Sequence, residues 1–338
     1  MIEARRHWIQ QDLMRKEVMP IVKTETVVNL KGVEEKRVTR VGDGSIICLF
    51  NKTPPPTRPT DVVCPHFTEL KWANGCYFRC SWCYLQGTYR FHPEWKNGKP
   101  NVKDYNLIKL HLNSLIESNA QPTILNAGEL SDSLLTEHTK KPFTLFLSEI
   151  FSANHTKHRI LFLTKSNRVE NVLKANLQDY LIMSFTLNAF EIAKRWERGA
   201  PSVEKRIEAA KKVTEAKYET RVRIDPMVPV SGWKEQYIEL VDRLFDAFTP
   251  SRITLGSLRG LQTTINEARD TSWVKYLSER SNWGKKVRLE TRYEMYSTLI
   301  DYLKENYSYT DIALCKETVE IWRKLGLDYT NIRCNCIK

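Results

Sequence analysis

The chain has 338 residues, 41% of them hydrophobic and nine of them Trp, which is enough apolar material for one substantial core. Fifty-two Lys and Arg against 40 Asp and Glu leave a formal net charge of +12. A polyanion such as nucleic acid suits that excess, although no dense block concentrates it and a diffusely charged surface accounts for it as well. No apolar run reaches membrane-span length, and Met1-Ile2-Glu3-Ala4-Arg5-Arg6-His7 opens no signal-peptide core, so a cytoplasmic protein without a membrane partner is expected.

Residues 1–60 read as a basic N-terminal extension. Apolar positions between Val38 and Leu49 suggest a strand or two, broken at Gly42-Asp43-Gly44, and Thr53-Pro54-Pro55-Pro56-Thr57-Arg58-Pro59 forms a stiff linker. Val62 to Trp72 is predicted as a strand running directly into Asn74-Gly75-Cys76-Tyr77-Phe78-Arg79-Cys80-Ser81-Trp82-Cys83-Tyr84-Leu85-Gln86. A polar, Gly- and Pro-punctuated segment follows, containing Tyr89, Phe91, His92 and Trp95. Helical spacing of Leu107, Leu110, Leu112 and Leu115 predicts a helix over 103–118. Strands are then predicted over 122–127, 159–164, 180–187, 220–225 and 252–255, separated by helices over 140–152, 168–175, 202–217 and 234–247.

Six strand–helix alternations at intervals of roughly 25–35 residues predict an α/β fold, most simply a partial (β/α)6 barrel over 61–260. In such a barrel function gathers at the C-terminal ends of the strands. Beyond 258 the alternation stops, and 261–338 reads as a mainly helical C-terminal extension with helices over 292–306 and 315–325, ending at Arg333-Cys334-Asn335-Cys336.

In a reducing compartment the eight cysteines, Cys48, Cys64, Cys76, Cys80, Cys83, Cys315, Cys334 and Cys336, are expected as metal ligands rather than disulfides. Cys76, Cys80 and Cys83 stand at C-x3-C-x2-C. One short loop with three thiolates can hold three irons of a [4Fe–4S] cube and leave the fourth open. A zinc site would need a fourth ligand, and none follows nearby. Cys64, Cys315, Cys334 and Cys336 could supply four more thiolates, for an auxiliary [4Fe–4S] cluster, a structural zinc, or neither. Cys48 reads as a core residue. His66 reads as a packed strand residue, and Glu204-Lys205-Arg206, with Glu208 and Lys212, as a solvated helix face. Arg221, Arg223 and Asp225 alternate along one strand, so some of them, Arg223 among them, point into the barrel.

Gly75-Cys76 through Cys83-Tyr84-Leu85-Gln86, with Thr164-Lys165, Thr186-Leu187-Asn188-Ala189, Glu204-Lys205-Arg206-Ile207-Glu208-Ala209-Ala210 and Gly232-Trp233, resembles spore photoproduct lyase and its relatives in the radical S-adenosylmethionine (SAM) superfamily. The resemblance covers roughly residues 62–260. It implies a [4Fe–4S] cluster on Cys76, Cys80 and Cys83, with SAM on the open iron. Ser131, Lys165 and Thr186 fall where relatives contact SAM, Thr186 standing where the lyase has serine. Asn188 closes the same strand and joins the cofactor-binding candidates. Gly128-Glu129 corresponds to a Gly-Glu motif whose carboxylate accepts the SAM amino group. Trp82 is a candidate adenine neighbour or an ordinary packing aromatic, and Arg223 a contact for the SAM carboxylate or the substrate.

One departure bears on chemistry. The lyase carries a hydrogen-donating cysteine in an Ala-Ser-Cys-Thr-Ser-Asp segment that aligns with Ala127-Gly128-Glu129-Leu130-Ser131-Asp132. Glu129 therefore takes the donor position, and a carboxylic O–H is too strong a bond to quench a carbon radical. Tyr89, Tyr293 and Tyr296 are the remaining candidates for the lyase's tyrosine relay. The resemblance thus implies a radical SAM enzyme of isomerase or lyase type that rearranges or modifies a substituted thymine in DNA, as relatives in bacteriophage thymidine hypermodification do. Thymine-dimer repair and modification of a peptide or small metabolite are the alternatives. A flavodoxin or ferredoxin as electron donor and a monomeric state are also expected.

Overall fold

The computed structural model describes residues 19–338, and the first eighteen residues of the N-terminal extension lie outside the described residues. Ten strands form one sheet whose spatial order is the chain order. Three antiparallel strands come first: β1 (Val22–Val28), β2 (Glu34–Val41) and β3 (Ile47–Phe50). β3 pairs antiparallel with β4 (Phe67–Leu70), where a parallel series begins. It continues through β5 (Ile124–Asn126), β6 (Arg159–Thr164), β7 (Leu181–Leu187), β8 (Glu219–Met227) and β9 (Ile253–Ser257) to β10 (Ile312–Leu314).

The connections are helical: α1 (Tyr105–Glu117), α2 (Phe143–Ser152), α3 (Glu170–Lys174), α4 (Phe190–Trp196) with α5 (Val203–Glu215), α6 (Trp233–Ala247) and α7 (Leu289–Tyr307). A parallel strand covered by helices on one face and barrel contents on the other is buried throughout, so it reads as an unbroken apolar run. β7 has every residue buried. Helix ends follow local chemistry: Asp104 and Ser202 cap α1 and α5 by accepting from Asn106 N and Lys205 N. Trp72 stacks on Phe143 with centroids 4.0 Å apart and donates its indole N–H to the Ala127 carbonyl at 2.9 Å, fixing α2 over β4 and β5.

The alternation does not stop at 258. After an excursion through a small antiparallel sheet that includes 279–281 and 284–286, α7 returns the chain to β10, a seventh parallel strand. Its three residues are too few to show a period in sequence. Past β10 the chain pairs Glu317 with Val63 and Thr318 with Val62, so the segment after the last strand joins the segment before the first parallel one. That two-stranded pairing bridges the start and the end of the parallel series, while the ten-stranded sheet keeps β1 and β10 as its outer strands. Only after that pairing comes the last α-helix, α8 (Val319–Lys324).

Candidate active site

Every parallel strand ends at one cavity of about 430 Å³. The Cys76–Cys83 loop follows β4, Glu129 follows β5, Lys165 follows β6, Thr186 lies near the end of β7, Asp225 lies in β8, Arg259 follows β9 and Cys315 follows β10, and all of them line it. This is the end of the barrel where the sequence placed function.

The cysteine loop is fixed from several sides. Gly75 N donates to the Leu130 carbonyl at 2.9 Å and Ser81 N to the Trp196 carbonyl at 2.8 Å, while Cys83 N turns back onto the Cys80 carbonyl at 3.0 Å. Gln86 Nε2 donates to the carbonyls of Cys80 (3.1 Å) and Ser81 (2.9 Å). Arg79, between the first two cysteines, takes φ of 52°, a left-handed conformation held by this surrounding structure. Gly199 permits the docking, because a Cβ there would come within 2.1 Å of the Phe78 carbonyl oxygen. Trp82 lines the cavity and packs against buried Trp196, ring centroids 5.6 Å apart.

The turn after β5 is the second wall. Gly128 passes so close to β6 that a Cβ would lie 2.3 Å from Leu163 Cβ. Asn126 Nδ2 donates to Glu129 Oε1 at 3.1 Å, and the Tyr84 hydroxyl donates to the Glu129 main-chain carbonyl. Asp132 is buried and accepts from Thr164 Oγ1 (2.7 Å), Leu134 N (3.0 Å) and Lys165 N (2.8 Å). Burial raises its pKa while these donors oppose the rise. Asp132 thus ties Ser131 to Lys165. Lys165 in turn lies 3.5 Å from the buried Glu197 carboxylate, which Arg206 clamps at 2.6 Å while also donating to the Thr186 carbonyl at 3.2 Å.

Arg206 is therefore buried rather than part of a solvated face, because it is committed to Glu197 and the Thr186 carbonyl; Glu208 and Lys212 form the exposed pair expected, 2.8 Å apart. Asn188 does not face the cavity. It donates to the Pro226 carbonyl and accepts from the Tyr237 hydroxyl, both at 2.8 Å, latching β7 to β8. The three tyrosines are also elsewhere. Tyr89 donates to Asn74 Oδ1 at 3.1 Å beneath the loop, Tyr293 is 39% exposed on α7, and Tyr296 is buried, donating to Glu317 Oε2 at 3.0 Å. Tyr84, next to Cys83, is the tyrosine that lines the cavity. Its adjacency to the third cysteine was the available signal.

Arg259 was not singled out from the sequence. Arg259 grips Asp225 with both nitrogens, at 2.8 and 2.9 Å. Burial alone would raise Asp225, but Arg259 and Arg223 outweigh it and hold the carboxyl at about 2. Cys64, Cys315, Cys334 and Cys336 line the same cavity as Cys76, Cys80 and Cys83.

Three thiols on one loop, opposite an acceptor carboxylate and an ammonium, suit a cluster with an open iron and a zwitterionic ligand on it. As free thiols they resist ionisation: burial pushes Cys80 up to about 12, so a metal must displace the proton. Among the described residues no three His, Cys, Asp or Glu side chains converge as they would on a single ion. Three thiols with no fourth protein ligand on the loop match a cluster with an open iron rather than a closed zinc site.

A family model described as spore photoproduct lyase matches residues 25–311. The chain belongs to the spore photoproduct lyase family. It is 28% identical over 188 residues to spore photoproduct lyase of Bacillus subtilis (strain 168), covering 54% of this chain and 52% of the relative. To the enzyme of Geobacillus sp. (strain Y412MC61) it is 28% identical over 176 residues, 51% of this chain and 49% of the relative. The chain thus spans about half the length of these curated relatives. Among solved structures, spore photoproduct lyase complexed with dinucleoside spore photoproduct superposes with a TM-score of 0.59 at 21% identity, covering 78% of each chain. A variant of that enzyme with bound AdoMet and dinucleoside spore photoproduct gives 0.58 at 23%, over 72% of this chain and 74% of that one. The family's barrel and this one are the same fold. No helix among the described residues is long and apolar enough to cross a membrane.

Proposed function

We propose that this chain is a radical SAM enzyme acting on a thymine-derived base in DNA, rearranging or modifying a substituted thymine rather than splitting a dimer. The observation that carries the reading is the convergence of Cys76, Cys80, Cys83, Glu129, Ser131, Lys165 and Thr186 on one cavity at the strand ends. When bound, the reduced cluster and SAM supply a 5′-deoxyadenosyl radical that abstracts a substrate hydrogen. Cys76, Cys80 and Cys83 would hold the cluster. Glu129, kept in place by Asn126, is the carboxylate for the SAM ammonium, and Lys165, steadied by Glu197, offers a cation to the SAM carboxylate. Trp82 and Leu163 give the cavity an apolar wall that keeps water from a reactive centre.

DNA is supported by the mouth of the site. Lys52, Arg79 and Lys316 line it, and Lys316 Nζ lies 3.7 Å from the centroid of the Trp283 ring and 4.6 Å from that of Phe50. Aromatic faces interleaved with cations suit a base on a phosphate backbone. Modification over dimer repair is supported at Glu129, which stands at the aligned hydrogen-donor position with its carboxylate held by Asn126. A flavodoxin or ferredoxin would deliver the electron.

The test is anaerobic reconstitution with iron and sulfide, reduction by dithionite, and chromatographic measurement of 5′-deoxyadenosine from SAM, alone and with DNA carrying a 5-substituted thymine. Reductive SAM cleavage absent in Cys76→Ala, with a product base of altered chromatographic retention or mass and no dinucleotide cleavage, is the expected outcome. An iron-free protein that never cleaves SAM overturns the enzyme assignment. Cleavage stimulated only by a peptide or metabolite, with no DNA retention at low salt, overturns the substrate.

A further inference from the structure

We infer that Cys64, Cys315, Cys334 and Cys336 form a second iron–sulfur site, fully ligated by the protein, in the wall of the same cavity. The four thiols come from three separated segments of chain, and the fold brings them together by two independent devices. The pairing of Val62 and Val63 with Thr318 and Glu317 carries Cys64 and Cys315 to the same seam. The C-terminal segment carries the other two. Asn335, between Cys334 and Cys336, is completely buried inside the barrel. Its side chain donates to Ser184 Oγ (2.7 Å) and the Val222 carbonyl (3.0 Å) and accepts from Thr254 Oγ1 (2.7 Å), and its own N–H donates to that oxygen at 3.0 Å. Arg221 donates to the Asn335 and Ile337 carbonyls, both at 2.7 Å, and Arg252 to the Cys334 carbonyl at 3.1 Å. A terminal segment locked this firmly holds both flanking thiols in fixed positions.

Two of the four sulfurs, those of Cys315 and Cys336, are set to accept hydrogen bonds as thiolates do. Arg223 Nη2 donates to Cys336 Sγ at 3.4 Å and to Cys315 Sγ at 3.7 Å. Arg259 donates to Cys315 Sγ at 3.6 Å and Asn126 to Cys336 Sγ at 3.6 Å. Asp225 neutralises Arg259, and the donors that Arg259 and Arg223 still aim at sulfur suit the anionic thiolates of a cluster better than neutral thiols. Four protein ligands leave no open iron, so this centre stores or passes electrons rather than binding SAM. Cys315, Cys334 and Cys336 lie beyond residues 25–311, the stretch shared with the family.

The assignment does not depend on SAM chemistry at the first loop, and its test separates the two. Iron and sulfide are counted in anaerobically reconstituted full-length wild type, in the Cys76→Ala/Cys80→Ala/Cys83→Ala variant and in Cys334→Ser/Cys336→Ser. About eight irons per chain in the wild type and about four in each variant are expected for two cubane clusters. In the first-loop variant the reduced cluster should give an electron paramagnetic resonance signal that SAM leaves unchanged, because no iron is open. An iron-free first-loop variant that keeps its near-ultraviolet circular dichroism overturns the proposal, as does one zinc per chain in place of iron. That variant leaves the tail intact, so misfolding of the Cys334→Ser/Cys336→Ser protein does not blunt the test.

Discussion

Gly128→Ala isolates the packing that places the Gly128-Glu129 turn. A Cβ at residue 128 would lie 2.3 Å from Leu163 Cβ and 3.0 Å from both Leu163 Cα and N. Carbon atoms in contact sit about 3.5–4.0 Å apart, so the turn must retreat from β6 by roughly 1 Å or more. Overpacking of this kind costs about 1–3 kcal/mol. A mid-range cost of about 2 kcal/mol lowers the melting temperature by about 3 °C in a chain of 338 residues. The retreat also carries Glu129 away from its place beside Asn126, and a 1 Å misplacement at a reacting site can cost about 100-fold in rate. Differential scanning of the metal-free protein measures the first effect, and 5′-deoxyadenosine formation by the reconstituted protein the second. Leu163→Ala should not rescue either, since the obstructing atoms are its Cβ and backbone, which alanine keeps. A Gly128→Ala protein that melts and cleaves SAM like the wild type would refute the reasoning.

Other outcomes follow from the same site. Glu129→Gln should weaken SAM binding about 10- to 100-fold, the worth of a charge-assisted hydrogen bond, with iron content unchanged by colorimetric assay. Tyr296→Phe should cost about 1–3 kcal/mol in urea unfolding by stripping a donor from buried Glu317, yet leave SAM cleavage at the wild-type rate; altered cleavage would restore Tyr296 to the catalytic set. Asp225, at about 2 when folded against 3.8 as its ordinary value, contributes stability that is present above 3.8 and lost as pH falls through about 2. The advantage of wild type over Asp225→Asn, measured by urea titration of metal-free protein, should therefore shrink by about 2 kcal/mol between those pH values. A pH-independent difference would show that Arg259 does not hold the carboxylate as described.

Much of this architecture is legible in the chain because parallel strands announce themselves as buried apolar runs. The strand over 159–164 and the helix over 103–118 differ from β6 and α1 by at most a couple of residues at each end. Alternation along β8 also put Arg223 inside, and the register pairing Arg223 with Thr186 sets the two side by side. What failed to read was direction at the ends of elements and pairing across long stretches. Asn188 stands one residue past β7, where its side chain is turned by Pro226 and Tyr237, partners remote in sequence. Tyr89 and Tyr296 are tyrosines of the right kind in the wrong place, each committed to a structural acceptor. β10 escaped because three residues carry no period, and Arg206 because a helix with charged neighbours gives no sign that one of them meets a buried glutamate.

β8 shows how one strand organises the whole interior. Its inward positions Arg221, Arg223 and Asp225 step along the barrel by roughly 7 Å each. At the first, a guanidinium satisfies the carbonyls of the C-terminal segment and so seats Asn335 in the barrel. At the second, the same side-chain type faces Cys315 and Cys336. At the third the sign reverses, and Asp225 neutralises Arg259, which itself reaches Cys315. Buried charges are costly unless each finds its partner. Arg221 pairs with Glu219 at 2.6 Å and gives its remaining donors to the tail, and Arg223 donates to Cys336, so removing the C-terminal segment strips hydrogen-bond acceptors from both. The tail is therefore both the stopper of the barrel and the source of half its second set of thiols, which ties integrity of the fold to the sulfur chemistry of the cavity.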